Sequence, residues 1–374
     1  MTVFARSDTS ILGRWWWTVD RWTLTAVGAL IALGIIMALA ASPAVAERIG
    51  LDYFYFARRQ LIYLPIALAL LVGGSLLSPR GVFRVATITL IIFAILVFAT
   101  FIFGTEIKGA RRWIALGPLS VQPSEFLKPA FAVVAAWLFA SARTGDLKHG
   151  NLMSIGAYGL IVGLLLLQPD VGMAVVISAV WACQFFLAGL PLFWAAGLAI
   201  TGVAALVLAY FTLSHVASRV DRFLDPSSGD SYQVDRSLEA FMNGGLFGRG
   251  PGEGTVKEVL PDAHSDFVFA VAGEEFGLFV CLIIVCLFGF VVLRGFAKAL
   301  QETDLFILLA TSGLVVQFGL QAVINMGSTL RLMPTKGMTL PFVSYGGSSL
   351  IAMGLCIGFL LALTRKRIGA EILR

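Results

Sequence analysis

The chain has 374 residues, 58% hydrophobic and 13% charged, with a formal net charge of +5. Its charged fraction is about half the roughly one quarter usual for soluble domains, and apolar runs recur at about the 20-residue length that crosses a bilayer. An all-α polytopic membrane protein follows, with residues 1–374 as one membrane domain and no separate soluble domain.

The first 22 residues form a basic tail carrying Arg6, Arg14 and Arg21. About ten transmembrane helices are expected, at 23–43, 60–78, 83–103, 125–142, 152–168, 170–188, 192–211, 266–293, 304–326 and 344–364. Residues 41–47, ASPAVAE, resemble a signal-peptidase site, but the preceding apolar run exceeds the usual signal length and many spans follow. The fifth and sixth spans are separated only by Gln168-Pro169-Asp170, which also fits a hairpin of short helices. Residues 212–265 form one large extracytoplasmic loop, and 365–374 a second basic tail. An even number of spans with both tails cytoplasmic satisfies the positive-inside rule. The outer cations Lys108, Arg111, Arg112, Arg331 and Lys336 nevertheless gather in loops marked by glycine and proline, which points to an anionic ligand on that side.

Cys183, Cys281, Cys286 and Cys356 all fall within spans and read as apolar packing residues. His149, His215 and His264 have no metal-ligand spacing. GGLFGRGPGEG at 244–254 superficially resembles a nucleotide loop but follows no strand of a βαβ unit. No nucleotide or organic cofactor is expected, and no basic patch interleaved with aromatics suits nucleic acid.

Candidate chemistry lies at the outer loops. In 104–128, Arg111 and Arg112 suit a pyrophosphate through charge-assisted bonds, and Trp113 offers a flat face to a sugar or isoprenoid. Interfacial anchoring accounts for the same three residues. Glu125 and Lys128 read as an i,i+3 pair, and Asp170 as a helix cap. Asp266 stands where the large loop re-enters the bilayer, either capping a helix or doing chemistry. Glu274 and Glu275 follow about two turns on, so these three carboxylates suit a divalent cation or basic partners such as Lys128. In PTKGMTLPFVSYGGSS, 334–349, proline and glycine impose non-helical chain at a membrane boundary, where it must line a cavity or contact protein.

Four motifs in order, GARRWIALGPLSVQPSEFLKP at 109–129, QPDVG at 168–172, LPDAHSDFVFAVAGEEFG at 260–277 and PTKGMTLPFVSYGGSS, resemble the SEDS family (shape, elongation, division and sporulation) over nearly the whole chain. The resemblance implies a glycosyltransferase that polymerises lipid II, an undecaprenyl-pyrophosphate-linked disaccharide peptide, into peptidoglycan. It works on the outer face of the bacterial cytoplasmic (inner) membrane with a class B penicillin-binding protein and other division proteins. The family's essential loop aspartate falls on Asp266 and its important tryptophan on Trp113, while Arg112, Glu275, Lys336 and Ser344 lie in motifs tied to activity. Lys336 in PTKG resembles the division branch over the elongation branch, implying a place at the septum. Asp262 and Ser265 depart from the Glu and Thr common beside the aspartate, and Arg331 is an added cation.

Polymerisation requires a sugar hydroxyl to attack an anomeric carbon as pyrophosphate leaves, hence one base and several cations. Asp266 is the expected base or a metal ligand, with Arg111, Arg112 and Lys336 as cations. Trp113, Phe342 and Tyr345 are expected to line the sugar or lipid path. Glu274, Glu275, Glu125 and Lys128 support the site or a metal, Mg2+ or Mn2+. The rival readings are a lipid II flippase, an elongation-type polymerase and a scaffold that only activates a partner enzyme.

Overall fold

The computed structural model describes residues 10–366 except 108–109, 118, 190–191, 225–231 and 336. The helices are α1 (Ile11–Thr18), α2 (Arg21–Arg48), α3 (Tyr55–Ser75), α4 (Pro79–Phe103), α5 (Pro123–Thr144), α6 (Gly150–Leu167), α7 (Val171–Leu187), α8 (Leu192–Thr212), α9 (Ser214–Leu224), α10 (Tyr232–Gly244), α11 (Val256–Val259), α12 (Val268–Ala299), α13 (Leu305–Thr329) and α14 (Gly347–Leu363). Each expected span coincides with a helix, and among the described residues seven of these (α2 to α6, α12 and α13) are long and apolar enough to cross a membrane. The 168–170 turn joins helices of 18 and 17 residues, α6 and α7, with Asp170 Oδ1 accepting from Met173 N at 3.3 Å as a cap. The centre of the bundle is built by α5, α13 and α14, whose side chains are largely buried, while α4 keeps most of its surface outward as a lipid-facing helix does.

Two loops hold more structure than their sequences announce. Within this helical membrane protein, residues 105–121 form a small antiparallel sheet, β1 (Thr105–Ile107), β2 (Ala110–Leu116) and β3 (Leu119–Val121), in the order β1-β2-β3, which the sequence did not announce. Glu106 pairs in register with Arg111, and Ile114 with Val121. The 212–265 loop is not merely polar chain either: it contains α9, α10 and α11, with α10 packed on α12.

The glycine segment has a structural task. Within α12, Gly277 takes φ 75°, a left-handed angle that breaks the helix and frees backbone groups inside an apolar region. The 244–250 chain takes up those groups: Leu278 N donates to Gly245 O (3.0 Å), Arg249 N to Glu274 O (3.0 Å) and Gly250 N to Glu275 O (3.0 Å). A Cβ on Gly248 would lie 2.2 Å from Glu275 O, so no larger residue permits this approach.

Candidate active site

The end of the bundle that carries Asp266 is organised around α13. Gln321 and Asn325, one turn apart on the same face, reach out of an otherwise apolar helix to the chain after Lys336. Gln321 Nε2 donates to Thr339 O at 3.1 Å. Asn325 Nδ2 donates to Met338 O at 2.6 Å and to Asp266 O at 2.9 Å, so one buried amide joins the aspartate loop to the PTKG loop. The loops are sewn together again downstream. Ser344 Oγ donates to Ser265 O (2.5 Å) and accepts from Leu340 N (2.8 Å), while Tyr345 N donates to His264 O (2.9 Å). From α3, Gln60 Nε2 donates to Ser344 O at 3.3 Å. The Tyr345 and Phe56 rings flank His264, with centroids 5.3 and 4.1 Å away.

Asp266 is half-buried in this cluster. The cap position of α12 falls on Phe267, one residue beyond Asp266. Asp266 Oδ2 faces the main chain of Gly337, where a Cβ would sit 3.3 Å away and where φ is +62°. Glycine serves that position twice, by its left-handed angle and by leaving room beside the carboxylate. Lys336, the residue before it, lies outside the described residues.

Beneath the site, the expected Glu125–Lys128 pair forms at 2.8 Å, but as a buried pair rather than a surface one. Lys128 Nζ also donates to Gln321 Oε1 at 2.6 Å, which turns the amide's N–H2 toward Thr339. Burying this lysine is tolerable because a carboxylate and an amide oxygen meet its ammonium.

Glu274 and Glu275 do not join Asp266 or Lys128. Glu274, fully buried, accepts from Thr255 N (2.9 Å), Val256 N (2.8 Å) and Lys257 N (3.1 Å), gathering the N–H groups at the start of α11. Glu275 is ion-paired with Lys257 and accepts from Gly252 N at 3.1 Å. The three-carboxylate arrangement is therefore corrected: the two glutamates hold the 250–257 chain against α12. Among the described residues no group of three or more His, Cys, Asp or Glu is placed to hold a metal ion.

The two arginines of β2 part company because strand neighbours point to opposite faces. Arg111 is exposed, with Nε 3.6 Å from Glu106 Oε2. Arg112 turns to the α6–α7 turn, donating from Nε to Gln168 O (3.0 Å) and from Nη2 to Pro169 O (2.6 Å), with Nη1 3.9 Å from Asp170 Oδ2. Its guanidinium is thus committed to the QPD turn. Trp113 is half-buried opposite Thr105. The sheet is tied to the start of α14, since Gln122 N donates to Ser348 Oγ at 2.9 Å. Phe342, expected along a sugar or lipid path, is instead buried in the core against Phe318.

The model of the family described as cell cycle protein, covering FtsW, RodA and SpoVE, matches residues 21–368. The chain belongs to this family. It is 46% identical over 368 residues to a Caulobacter vibrioides protein named probable peptidoglycan glycosyltransferase FtsW, covering 98% of this chain and 94% of the relative. A Saccharophagus degradans protein of the same name is 38% identical, covering 87% of each chain. Among solved structures, one describing the structural coordination of polymerization and crosslinking by a peptidoglycan synthase complex contains a similar chain. Its TM-score is 0.75 at 30% identity, covering 92% of this chain and 97% of that one. The crystal structure of Thermus thermophilus rod shape determining protein RodA gives 0.68 at 31% identity, covering 92% and 96%. The chain is a multi-pass membrane protein of the FtsW/RodA/SpoVE family, and the loops that meet at Asp266 are built from two of the motifs that carried the resemblance.

Sequence reasoning missed Asn325, Gln321 and Gln60. All three are amides inside apolar spans, and a polar group at such depth signals a partner to be found. Arg219, in the large loop, was missed as well: its Nη1 donates to Thr335 O at 3.3 Å, beside the PTKG motif.

Proposed function

We propose that this protein is a peptidoglycan glycosyltransferase that polymerises lipid II into glycan strands at the outer face of the cytoplasmic membrane, during septal wall synthesis. The observation that carries this reading is the Asp266 carboxylate, set against Gly337 between two loops locked by Asn325 and Ser344. Preorganisation of this kind suits a group that must meet a reacting atom in one geometry. Asp266 accepts the proton of the acceptor hydroxyl as it attacks the anomeric carbon. Arg111 and Lys336 oppose the charge that grows on the departing pyrophosphate. Arg112 acts as a positioning residue for the QPD turn, and Trp113 and Tyr345 present flat faces to sugar or isoprenoid.

The expected divalent cation fits only partly. Mg2+ is commonly held by one or two carboxylates together with substrate phosphates, and Asp266 offers one such carboxylate beside Gly337. We assign such an ion to Asp266 and substrate oxygens, and it would neutralise pyrophosphate charge; no step depends on it. Both termini are placed in the cytoplasm, and a class B penicillin-binding protein is the proposed partner, in line with the peptidoglycan synthase complex among the similar structures.

The test is a polymerisation assay in detergent micelles with purified chain, its cognate class B penicillin-binding protein, lipid II and Mg2+ or Mn2+. Glycan polymer supports the proposal. Absence of polymer under every metal and partner condition, with lipid II movement between leaflets of reconstituted vesicles, would replace it with the flippase reading.

A further inference from the structure

At the opposite end of the bundle, on the order of 45 Å from Asp266 along α12, the first residues of α2, the last turn of α12 and the chain after α14 enclose a pocket of about 430 Å³. Its lining includes Arg21, Arg294, Lys298 and Lys366 against a single carboxylate, Asp20. Asp20 is already used: its two oxygens receive Nε and Nη2 of Arg294 at 2.6 and 2.7 Å, a bidentate pair that cancels one cation. Among the described residues no salt bridge joins Arg21, Lys298 or Lys366 to a carboxylate within 4.0 Å, although the Lys298 charge also acts on Asp20. Four cations against one carboxylate leave the pocket lining with a net excess of three positive charges.

Its surroundings have the aromatic and cationic composition of a headgroup region. Trp17 and Trp22 line it, and Arg21 stacks over the Trp17 ring at 5.1 Å. The adjoining α1 is fastened inward by Trp15, whose Nε1 donates to Ser75 Oγ at 2.8 Å, and presents Ile11 and Leu12 outward, as an interfacial helix does. One turn deeper on α12, Phe290 and Leu293 are exposed, with Arg294 6.0 Å above the Phe290 ring. Cations at the rim and a lipid-facing apolar surface directly below match a molecule with a phosphate head and acyl tails.

We propose that this pocket binds the headgroup of an anionic phospholipid, its phosphate held by Arg21, Lys298 and Lys366 and its chains lying along Phe290 and Leu293. An acidic protein segment would satisfy the charges but would leave that apolar surface uncovered. The site is independent of the glycosyltransferase reading, and its test uses no polymerisation readout.

The full chain, delipidated in neutral detergent, is exposed to equimolar phosphatidylethanolamine and phosphatidylglycerol and analysed by native mass spectrometry. Phosphatidylglycerol is expected to be retained in preference, and Arg21→Gln, Lys298→Gln and Lys366→Gln each to weaken that retention about fivefold. Lys298→Gln alone carries the test if the other two variants do not fold. Equal retention of both lipids by the unmodified chain, or unchanged preference in the folded variants, overturns the proposal. So does displacement of phosphatidylglycerol by inorganic phosphate that stabilises the protein equally well, since that marks a site for a free anion.

Discussion

Replacing Asn325 by Ala removes the amide that joins the Asp266 loop to the PTKG loop. Asn325 is 1% exposed, and its Nδ2 serves two main-chain oxygens, those of Asp266 and Met338. Each carbonyl left buried without a donor costs about 1–3 kcal/mol, so the local penalty is on the order of 2–6 kcal/mol. The cost falls on the relative placement of the two loops, because α13 itself keeps its backbone bonds. If the lower bound of 2 kcal/mol falls wholly on the competent arrangement, polymerisation slows roughly 30-fold. The assay is glycan synthesis in micelles with the partner enzyme, alongside a melting curve to separate loop misplacement from global unfolding. Asn325→Asp should fare no better, since it has no N–H to offer and adds a charge beside Asp266. A rate within twofold of the unmodified chain, with an unchanged melting curve, would refute the claim that this amide sets the site.

The other expectations concern stability and orientation. Lys257→Met strands the buried Glu275 carboxylate and should cost about 3–5 kcal/mol in thermal unfolding, most of it recovered in Lys257→Met/Glu275→Gln; unaltered melting of the single variant would count against a buried pair. Burial would raise the Asp20 carboxyl, but the bonds and charge of Arg294, with help from Thr23 and Lys298, outweigh it and hold the group below its ordinary value of 3.8. Ionised Asp20 therefore stabilises the fold above that pH, and the contribution is lost as pH falls through the lowered value. The melting-temperature gap between the unmodified chain and Arg294→Gln should accordingly narrow below pH 3.8, and a constant gap would contradict the linkage. For orientation, in a background without the four native cysteines, Glu253→Cys should react with an impermeant thiol reagent in intact cells and Asp146→Cys should not; the reverse pattern would invert the proposed topology.

The spans were legible because bilayer crossing imposes length and apolarity on the sequence itself, and every expected span met a helix. The bland readings of Asp170 as a cap and of Glu125–Lys128 as a pair also follow from local spacing, which is why they could be read. The roles of Glu274 and Glu275 could not: their partners, the 252–257 backbone and Lys257, lie 17–23 residues upstream and meet them only because the chain turns back through 260–267 before entering α12. The same long-range return explains the glycine segment, whose composition resembled a phosphate loop but whose N–H groups serve a broken helix. The two arginines of β2 were read alike because no strand was expected there, and only the pleat sends them to different faces. Asn325 and Gln321 were visible as amides in an apolar run, but their acceptors are carbonyls of another motif, and no pattern of side chains encodes a backbone partner.

The most direct measurement compares the purified chain with its Asp266→Asn variant, in micelles containing lipid II, divalent cation and the class B penicillin-binding protein. The amide keeps the shape beside Gly337 but cannot accept the hydroxyl proton, so glycan synthesis should fall by at least about 10²-fold while partner binding and melting temperature stay unchanged. Turnover near that of the unmodified chain would contradict the assignment of Asp266 as the base, and with it the proposed centre of the site.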